Sequence, residues 1–286
     1  ILAAPALRAH DPAQDRPMAV LKPRGTGYPA GFVAAVLARA LALPGPCRVF
    51  GLTGLQGTGK STLAAQVAAL ASERGLRAVV LSIDDVYLDQ PERQRLGREV
   101  HPLLATRGAP GSHDIALGLA TLDALREGRA RLPAFDKLAD RRLPESAWER
   151  VQGVPDLVLF EGWFHKVPPQ AEAELARPLN ALEREEDPEG IWRRWCNAAL
   201  PAYAPLWARL DHLLFLRGPG FEVVPDWRWQ QEQTLAAANP GRRAMSRSEV
   251  ERFVQFFERV SRQALATLPG IADETIALDA GRRVLG

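Results

Sequence analysis

The chain of 286 residues is 47% hydrophobic and 24% charged, which is enough apolar material for one large domain or two small ones. Its 36 basic residues nearly balance its 34 acidic ones, and no apolar run approaches the roughly 20 residues of a membrane span, so neither a nucleic-acid nor a membrane partner is expected. The two cysteines give no disulfide framework, and the start ILAAPALRAHDP, which has no initiator Met, lacks the basic region of a signal peptide, so we expect a cytoplasmic location.

The predicted elements alternate between helices and strands. Residues 1–28 are rich in Pro, Ala and Gly and are expected to be a loosely packed lead-in to a single domain over 29–286. In chain order, apolar periodicity predicts a helix over Pro29–Leu43, a strand over Cys47–Thr53, a helix over Lys60–Glu73, a strand over Arg77–Ile83, a helix over Asp114–Arg126 with Ser112 as N-cap, a strand over Asp156–Phe160, helices over Leu179–Glu186 and Gly190–Ala199, a strand over Asp211–Leu216, helices over Pro225–Ala238 and Ser246–Leu268, and a strand over Thr275–Leu278. This order predicts an α/β fold, a parallel sheet with helices on both faces, and ligands at the carboxyl ends of its strands.

A glycine-rich segment follows the first predicted strand and begins the next helix. It reads GLQGTGKS and fits G-x-x-x-x-G-K-[ST], a pattern whose inward-pointing backbone N–H groups bind phosphate oxygens. The predicted nucleotide-binding residues are Gly54, Leu55, Gln56, Gly57, Thr58, Gly59, Lys60, Ser61 and Thr62. We expect Lys60 to reach the β- and γ-phosphates of ATP and the Ser61 hydroxyl to ligate Mg²⁺.

Acidic residues follow two further predicted strands. Asp84 and Asp85 come directly after the second strand, where a carboxylate that faces the γ-phosphate accepts the proton of an attacking hydroxyl. The alternative for this pair is a turn or a helix cap. We assign Asp84 as the base and Asp85 as a Mg²⁺ or water partner, with the order of the pair left open. Glu161 ends the strand LVLFE, which is typical of the Walker-B acid that binds Mg²⁺ directly or through water.

Several stretches together resemble the phosphoribulokinase, uridine kinase and pantothenate kinase superfamily, and within it the D-glycerate 3-kinases of the plant and fungal type with their bacterial relatives. They are Gly54–Thr62, Ser82–Leu88, Arg107–Asp114, Phe135–Lys137, Phe160–Trp163, Trp227–Glu232 and Met245–Ser246. The resemblance implies a kinase-type P-loop NTPase fold with a small lid around 220–245 and acceptor-site insertions around 88–114 and 135–150. It also implies ATP and Mg²⁺ as cofactors and a small hydroxy acid as the acceptor.

The resemblance implies roles for individual residues as well. The expected acceptor-binding residues are Tyr87, Arg107, His113, Asp114 and Lys137. The expected catalytic residues are Lys60, Asp84 and, on the lid over the phosphates, Arg228. Structural alternatives exist, since His113 and Asp114 can begin a helix, Lys137 can be a surface residue, and Arg228 can pack on a neighbouring tryptophan through its stem.

The acceptor side departs from the pattern of the family. After Asp136-Lys137 the chain reads Leu138-Ala-Asp140-Arg141-Arg142, which is shorter than the usual segment and has no glycine. The resemblance as a whole makes phosphorylation of D-glycerate or another small hydroxy acid the leading function. The alternatives are a nucleoside or pantothenate-like alcohol as acceptor, or a regulatory ATPase. A GTPase is disfavoured because no N-K-x-D motif occurs. The sequence leaves the oligomeric state open.

Overall fold

The computed structural model describes residues 27–238 and 244–285. Most of the predicted lead-in, and part of the predicted lid around 220–245, therefore lie outside the described residues. The last two residues of the 1–28 segment are packed, because the Tyr28 amide donates to Gln66 and the Gln66 side chain donates back to the Tyr28 carbonyl. Within the described ranges, no helix is both long and apolar enough to cross a membrane.

The centre of the molecule is a five-stranded parallel sheet. In chain order the strands are β1 (Arg48–Gly54), β2 (Ala78–Ser82), β3 (Arg131–Leu132), β4 (Phe135–Asp136), β5 (Arg141–Arg142), β6 (Glu149–Arg150), β7 (Leu157–Gly162), β8 (His212–Arg217) and β9 (Glu274–Ala277). The sheet has the order β2-β7-β1-β8-β9, and all four pairings are parallel. The predicted parallel α/β fold is confirmed, with β1 at its centre.

The helices cover both faces of this sheet. They are α1 (Ala30–Ala42), α2 (Lys60–Glu73), α3 (Gln90–Glu99), α4 (Ile115–Arg126), α5 (Glu172–Leu175), α6 (Ala181–Glu186), α7 (Ile191–Ala199), α8 (Ala204–Trp207), α9 (Val224–Ala238) and α10 (Arg247–Thr267). Helix α2 spans the predicted residues, and α10 begins with a capping box, in which Ser246 and Glu249 accept each other's backbone N–H groups.

Alternation along the strands explains the two layers. Phe50 and Leu52 of β1 pack with α1 and α2 on one face of the sheet, whereas Val49 faces the larger cluster formed with α4, α7, α8 and α10. The same alternation recurs in β7 and β8, whose residues are almost all fully buried. Strands buried on both faces read as continuous apolar runs, which is the pattern that identified them in the sequence.

The region between β2 and β7 contains elements that periodicity missed. Helix α3 begins with a capping box formed by Asp89 and Glu92, and two short antiparallel ribbons follow, β3 with β6 and β4 with β5. The tight turn of the β4–β5 ribbon, residues 137–140, carries Lys137. Apart from β3, these elements lie within the predicted insertions 88–114 and 135–150.

The predicted N-cap of α4 is wrong. Asp114, rather than Ser112, is the N-cap, and its Oδ1 accepts the Leu117 N–H at 2.9 Å. The Ser112 hydroxyl is used inside the preceding turn, where it accepts from the Gly108 amide and donates to the Ala109 carbonyl. Both residue types are good N-caps, so composition alone does not distinguish them.

Candidate active site

The carboxyl ends of β1, β2 and β7 lie at one edge of the sheet. Gly54 ends β1 and begins the glycine-rich loop, Ser82 ends β2 two residues before Asp84, and Glu161 is the penultimate residue of β7. Because β7 pairs with both β1 and β2, with Glu161 opposite Leu52 and Ser82, three chemically distinct segments converge. The fold therefore places the predicted nucleotide and proton-transfer residues together.

The glycine-rich loop has the backbone that its sequence predicts. Gly57 and Gly59 adopt φ values of 84° and 88°, in the left-handed region that favours glycine. A Cβ atom on Gly57 would lie 2.5 Å from the Trp227 Cβ atom, so this position also requires glycine for space. The loop leads into the N-terminus of α2, where the positive end of the helix favours phosphate.

Lys60 lies buried within this loop. Its Nζ donates to the Leu55 carbonyl at 2.9 Å. Burial lowers the pKa of Lys60, while the Glu161 and Asp84 carboxylates act in the opposite direction. An ammonium that is already partly desolvated gains strongly from a phosphate partner, because the interaction takes place in a region of low dielectric constant.

The side chains next to the loop fit a magnesium ion. The Ser61 hydroxyl lies 3.1 Å from Glu161 Oε1, and the Asp85 carboxylate accepts the Ser82 amide. Burial raises the pKa of Asp85 to about 7, which a cation at this place would reverse. Mg²⁺ uses one or two carboxylates together with substrate phosphates, and Asp85 and Glu161 are two carboxylates next to the loop.

Asp84 is held between two donors. Its Oδ1 accepts the Tyr87 hydroxyl and its Oδ2 accepts Lys137 Nζ, both at 2.7 Å. Burial alone would raise the pKa of Asp84, but the Lys137 ammonium and the two hydrogen bonds lower it well below its ordinary value. Asp84 is therefore ionised, and Lys137 is its direct partner rather than an isolated surface residue. The Lys137 side chain remains 54% exposed, so its ammonium is accessible from solution.

An aromatic stack supports this pair. The Tyr87 ring lies on the His113 ring with centroids 4.6 Å apart, and Phe135 meets Tyr87 edge-on. His113 Nδ1 is 2.7 Å from the Tyr203 hydroxyl, whereas its buried Nε2 has no hydrogen-bond partner among the described residues. Burial lowers the pKa of His113 to about 3, so this ring is neutral. Tyr203 was missed by the sequence reasoning, because it lies in a 3-10 turn about 90 residues away.

Two of the expected acceptor residues contact neighbouring protein groups. Asp114 begins α4 as its N-cap through Oδ1, and its Oδ2 accepts a hydrogen bond from Arg142. Arg107 forms an ion pair with Asp140 and donates to the Lys137 carbonyl at 2.9 Å. Their expected contacts with the acceptor remain predictions.

Arg228 lies on α9, which packs over the glycine-rich loop. It pairs with Glu232 at 3.1 Å, one helical turn further on, and stacks on Phe253 of α10 rather than on a tryptophan. Leu55 of the loop packs with Val224 and other apolar residues of α9 and α10 in a small separate core. The lid role of Arg228 stays a prediction, and the helix that carries it lies against the loop as that role requires.

Arg282 was also missed. Its Nε donates to the Gly57 carbonyl at 2.6 Å, and its guanidinium stacks on Trp227 at 5.1 Å. The Trp227 indole in turn donates to the Ala280 carbonyl. A lone arginine after the last strand carries no sequence signal, so only the fold reveals that it supports the nucleotide-binding loop.

The comparisons with known proteins agree with this geometry. The family model "Methylmalonyl Co-A mutase-associated GTPase MeaB" matches residues 29–87, which contain the glycine-rich loop and the two strands beside it. The uncharacterized kinase mug58 of Schizosaccharomyces pombe is 31% identical over 220 residues, which cover 73% of this chain and 78% of that protein. The chloroplastic D-glycerate 3-kinase of Arabidopsis thaliana is 31% identical over 237 residues, 78% of this chain, and the chain spans about half the length of that enzyme.

Among solved structures, the D-glycerate 3-kinase of Cryptococcus neoformans superposes with a TM-score of 0.68 at 27% identity, covering 90% of this chain and 96% of that one. Together with the glycine-rich loop and the convergent acids, these similarities show that the chain is a kinase of the P-loop family that includes the D-glycerate 3-kinases.

Proposed function

We propose that this kinase transfers the γ-phosphoryl group of ATP to the terminal hydroxyl of D-glycerate, giving 3-phosphoglycerate. The observation that carries the proposal is the Lys137–Asp84 pair, in which a solvent-accessible ammonium lies 2.7 Å from the expected base. A small hydroxy acid has both groups that such a pair can bind, a carboxylate for Lys137 and a hydroxyl for Asp84. Two relatives that carry the name D-glycerate 3-kinase support the choice of acid.

The reaction follows from these contacts. The acceptor carboxylate binds the Lys137 ammonium in place of Asp84. Asp84 Oδ2 can then accept the proton of the terminal hydroxyl. The hydroxyl oxygen bonds to the γ-phosphorus, the bond from that phosphorus to its bridging oxygen breaks, and ADP leaves. Lys60 and the amides of the glycine-rich loop stabilise the negative charge on the phosphate oxygens. His113 Nε2 is a buried ring nitrogen with no hydrogen-bond partner among the described residues, and we propose that it contacts the second acceptor hydroxyl.

We further propose that Ser61, Asp85 and Glu161 hold Mg²⁺ with the nucleotide phosphates. The ion supplies charge neutralisation on the transferred group. On the same basis, the insertions around 88–114 and 135–150 form the acceptor side and the region around 220–245 acts as the lid. A cytoplasmic location stays a prediction.

An assay of ADP release with Mg-ATP and a panel of acceptors tests the function. We expect D-glycerate to stimulate ADP formation and lactate, which lacks the terminal hydroxyl, to give none. A site with buried groups arranged for a hydroxyl discriminates strongly against the analogue that lacks it. Stimulation by a nucleoside or by pantothenate, but not by D-glycerate, would leave the kinase assignment in place and overturn the acceptor.

Lys137→Gln tests the contact that carries the proposal. Loss of a charged hydrogen bond to the acceptor carboxylate should raise the KM for D-glycerate by about tenfold or more, with little change in the KM for ATP. Lys166→Gln is the matched control, because Lys166 is a lysine on the loop after β7 that lines an open groove with Pro168 and Trp207. Equal effects of the two substitutions would contradict the role of Lys137.

A further inference from the structure

Arg93 is a fully buried arginine in α3, at 0% exposure, to which no role was assigned from the sequence. Its guanidinium donates to the carbonyl oxygens of Leu88, Ala105 and Asp140 at 2.9–3.0 Å and pairs with the Asp140 carboxylate at 2.9 Å. Leu88 follows Tyr87, Ala105 lies two residues before Arg107, and Asp140 belongs to the turn that carries Lys137. One side chain thus joins the separate pieces of the acceptor side.

Asp140 is the second member of this network. It closes the β4–β5 turn in a left-handed conformation, with φ of 55°, and its carboxylate contacts Arg93 on one side and Arg107 on the other. Arg107 then donates to the Lys137 carbonyl. Both guanidinium groups also lie over the Phe135 ring, at 5.9 and 5.7 Å. The turn is therefore held at both of its ends.

The network fixes where the Lys137 ammonium can lie. The Lys137 main chain is bound by Arg107, while its Nζ contacts Asp84 at 2.7 Å. A flexible lysine on an exposed turn would otherwise lose much of its binding strength to side-chain freedom. Within the turn, the Asp136 carboxylate accepts the Leu138 and Ala139 amides at 2.8 and 3.0 Å, and the two arginines attach the turn to the rest of the acceptor side.

We propose that Arg93 and Asp140 are positioning residues for the acceptor, which act through Lys137 and do not touch the substrate. The proposal rests on the proposed function, in which Lys137 binds the acceptor carboxylate. It gives the Leu138–Arg142 stretch a specific role: its aspartate attaches the turn to a buried arginine through an ion pair.

A double-mutant cycle between Asp140→Asn and Lys137→Gln tests this assignment. Asparagine tolerates the left-handed backbone, so Asp140→Asn removes the charge and keeps the turn. We expect Asp140→Asn alone to raise the KM for D-glycerate by about fivefold or more, with a change in the KM for ATP of less than about twofold. In the Lys137→Gln background the same substitution should add little, because its effect passes through the missing ammonium.

Two further variants separate positioning from general stability. Asp123→Asn removes an aspartate–arginine pair of similar geometry, to Arg209, on the exposed side of α4 and should leave both KM values unchanged. Arg93→Lys keeps the charge but cannot reach three carbonyl oxygens, so it should reproduce the acceptor KM increase of Asp140→Asn rather than rescue it. Thermal unfolding of each variant establishes that the folded protein is being assayed.

The outcomes are distinct. Additive effects of Asp140→Asn and Lys137→Gln, or equal increases in the KM for ATP and for acceptor, would overturn the positioning role. Failure of D-glycerate to stimulate the parent enzyme would instead overturn the acceptor, and the cycle would then be measured with whichever panel compound does stimulate it. If Asp140→Asn does not fold, the cycle with Arg93→Lys in its place decides the question on the same criterion.

Discussion

The two sides of the candidate active site are built in different ways. The nucleotide side is one continuous stretch, Gly54–Ser61, in which backbone amides and two left-handed glycines form the binding surface. The acceptor side is assembled from side chains of separate segments, with Tyr87, His113 and Lys137 brought together by hydrogen bonds and ring contacts. A continuous backbone site leaves a motif in the sequence, whereas a site of dispersed side chains depends on tertiary contacts that a motif does not record.

On the nucleotide side, the largest effect is expected for Lys60→Ala. Removal of the buried ammonium from the β- and γ-phosphates should lower kcat by about 10²–10³-fold, because charge that develops in the transition state loses its partner. The fold should persist, since the hydrogen bond of the Lys60 ammonium is to the Leu55 carbonyl of its own loop. Single-turnover kinetics together with circular dichroism measure both quantities. Near-normal turnover in this variant would show that the loop does not bind the transferred phosphate.

A comparison of Asp84→Asn with Asp85→Asn tests the acceptor side where it adjoins the nucleotide side. Loss of the base should lower kcat by about 10²–10⁴-fold, while Mg-ATP binding, measured by calorimetry, stays close to that of the parent. Asp85→Asn should weaken Mg-ATP binding instead, since Asp85 lies with Ser61 and Glu161 on the nucleotide side. If Asp85→Asn abolishes turnover with normal binding and Asp84→Asn does not, the assignments of the pair are reversed.

The smallest effect concerns stability rather than catalysis. His165 is fully buried against Phe160 and Trp207, its ring nitrogens have no hydrogen-bond partner among the described residues, and burial lowers its pKa to about 3. An unfolded histidine binds a proton near pH 6.5, so the folded state is fully stabilised above that pH and loses stability as the pH falls towards 3. From pH 6.5 to 5.5 this amounts to about 1 kcal/mol per buried neutral histidine.

His165→Phe should therefore make the free energy of unfolding fall less steeply below pH 6.5, by about 1 kcal/mol per pH unit. Urea unfolding at pH 7.5, 6.5 and 5.5 gives the two slopes. His113, whose pKa burial also lowers to about 3, remains in the variant and serves as an internal reference for the residual slope. Parallel curves for parent and variant would show that His165 binds its proton in the folded protein.

The sequence predicted the sheet, the order of its main helices and the glycine-rich loop, because buried parallel strands and phosphate-binding loops have strong local patterns. It also placed Lys137 and Asp84 in one site through the family resemblance, although the direct pair between them follows only from the β4–β5 turn. Arg93 and Arg282 could not be predicted. Each is one arginine among many, and its importance comes from carbonyl groups that other parts of the chain present to it.

Asp114 shows that the sequence can identify a residue as important without giving its structural role. The sequence identified it as an acceptor residue and Ser112 as the helix cap, but Asp114 is the cap and Ser112 closes a turn. Ser112 does not cap the helix because its hydroxyl accepts the Gly108 amide of the preceding turn, which leaves Asp114 as the N-cap. Such a choice depends on backbone geometry two to four residues upstream, which side-chain identity alone does not specify.

The hydrogen bond from Arg282 to the Gly57 carbonyl joins residues that are 225 positions apart in the chain. Strand β1 likewise pairs only with β7 and β8, which begin at Leu157 and His212. During synthesis the glycine-rich segment thus leaves the ribosome long before the groups that surround it, and long-range contacts of this kind form slowly. The surroundings of the glycine-rich loop are therefore completed only after the chain has been made as far as Arg282.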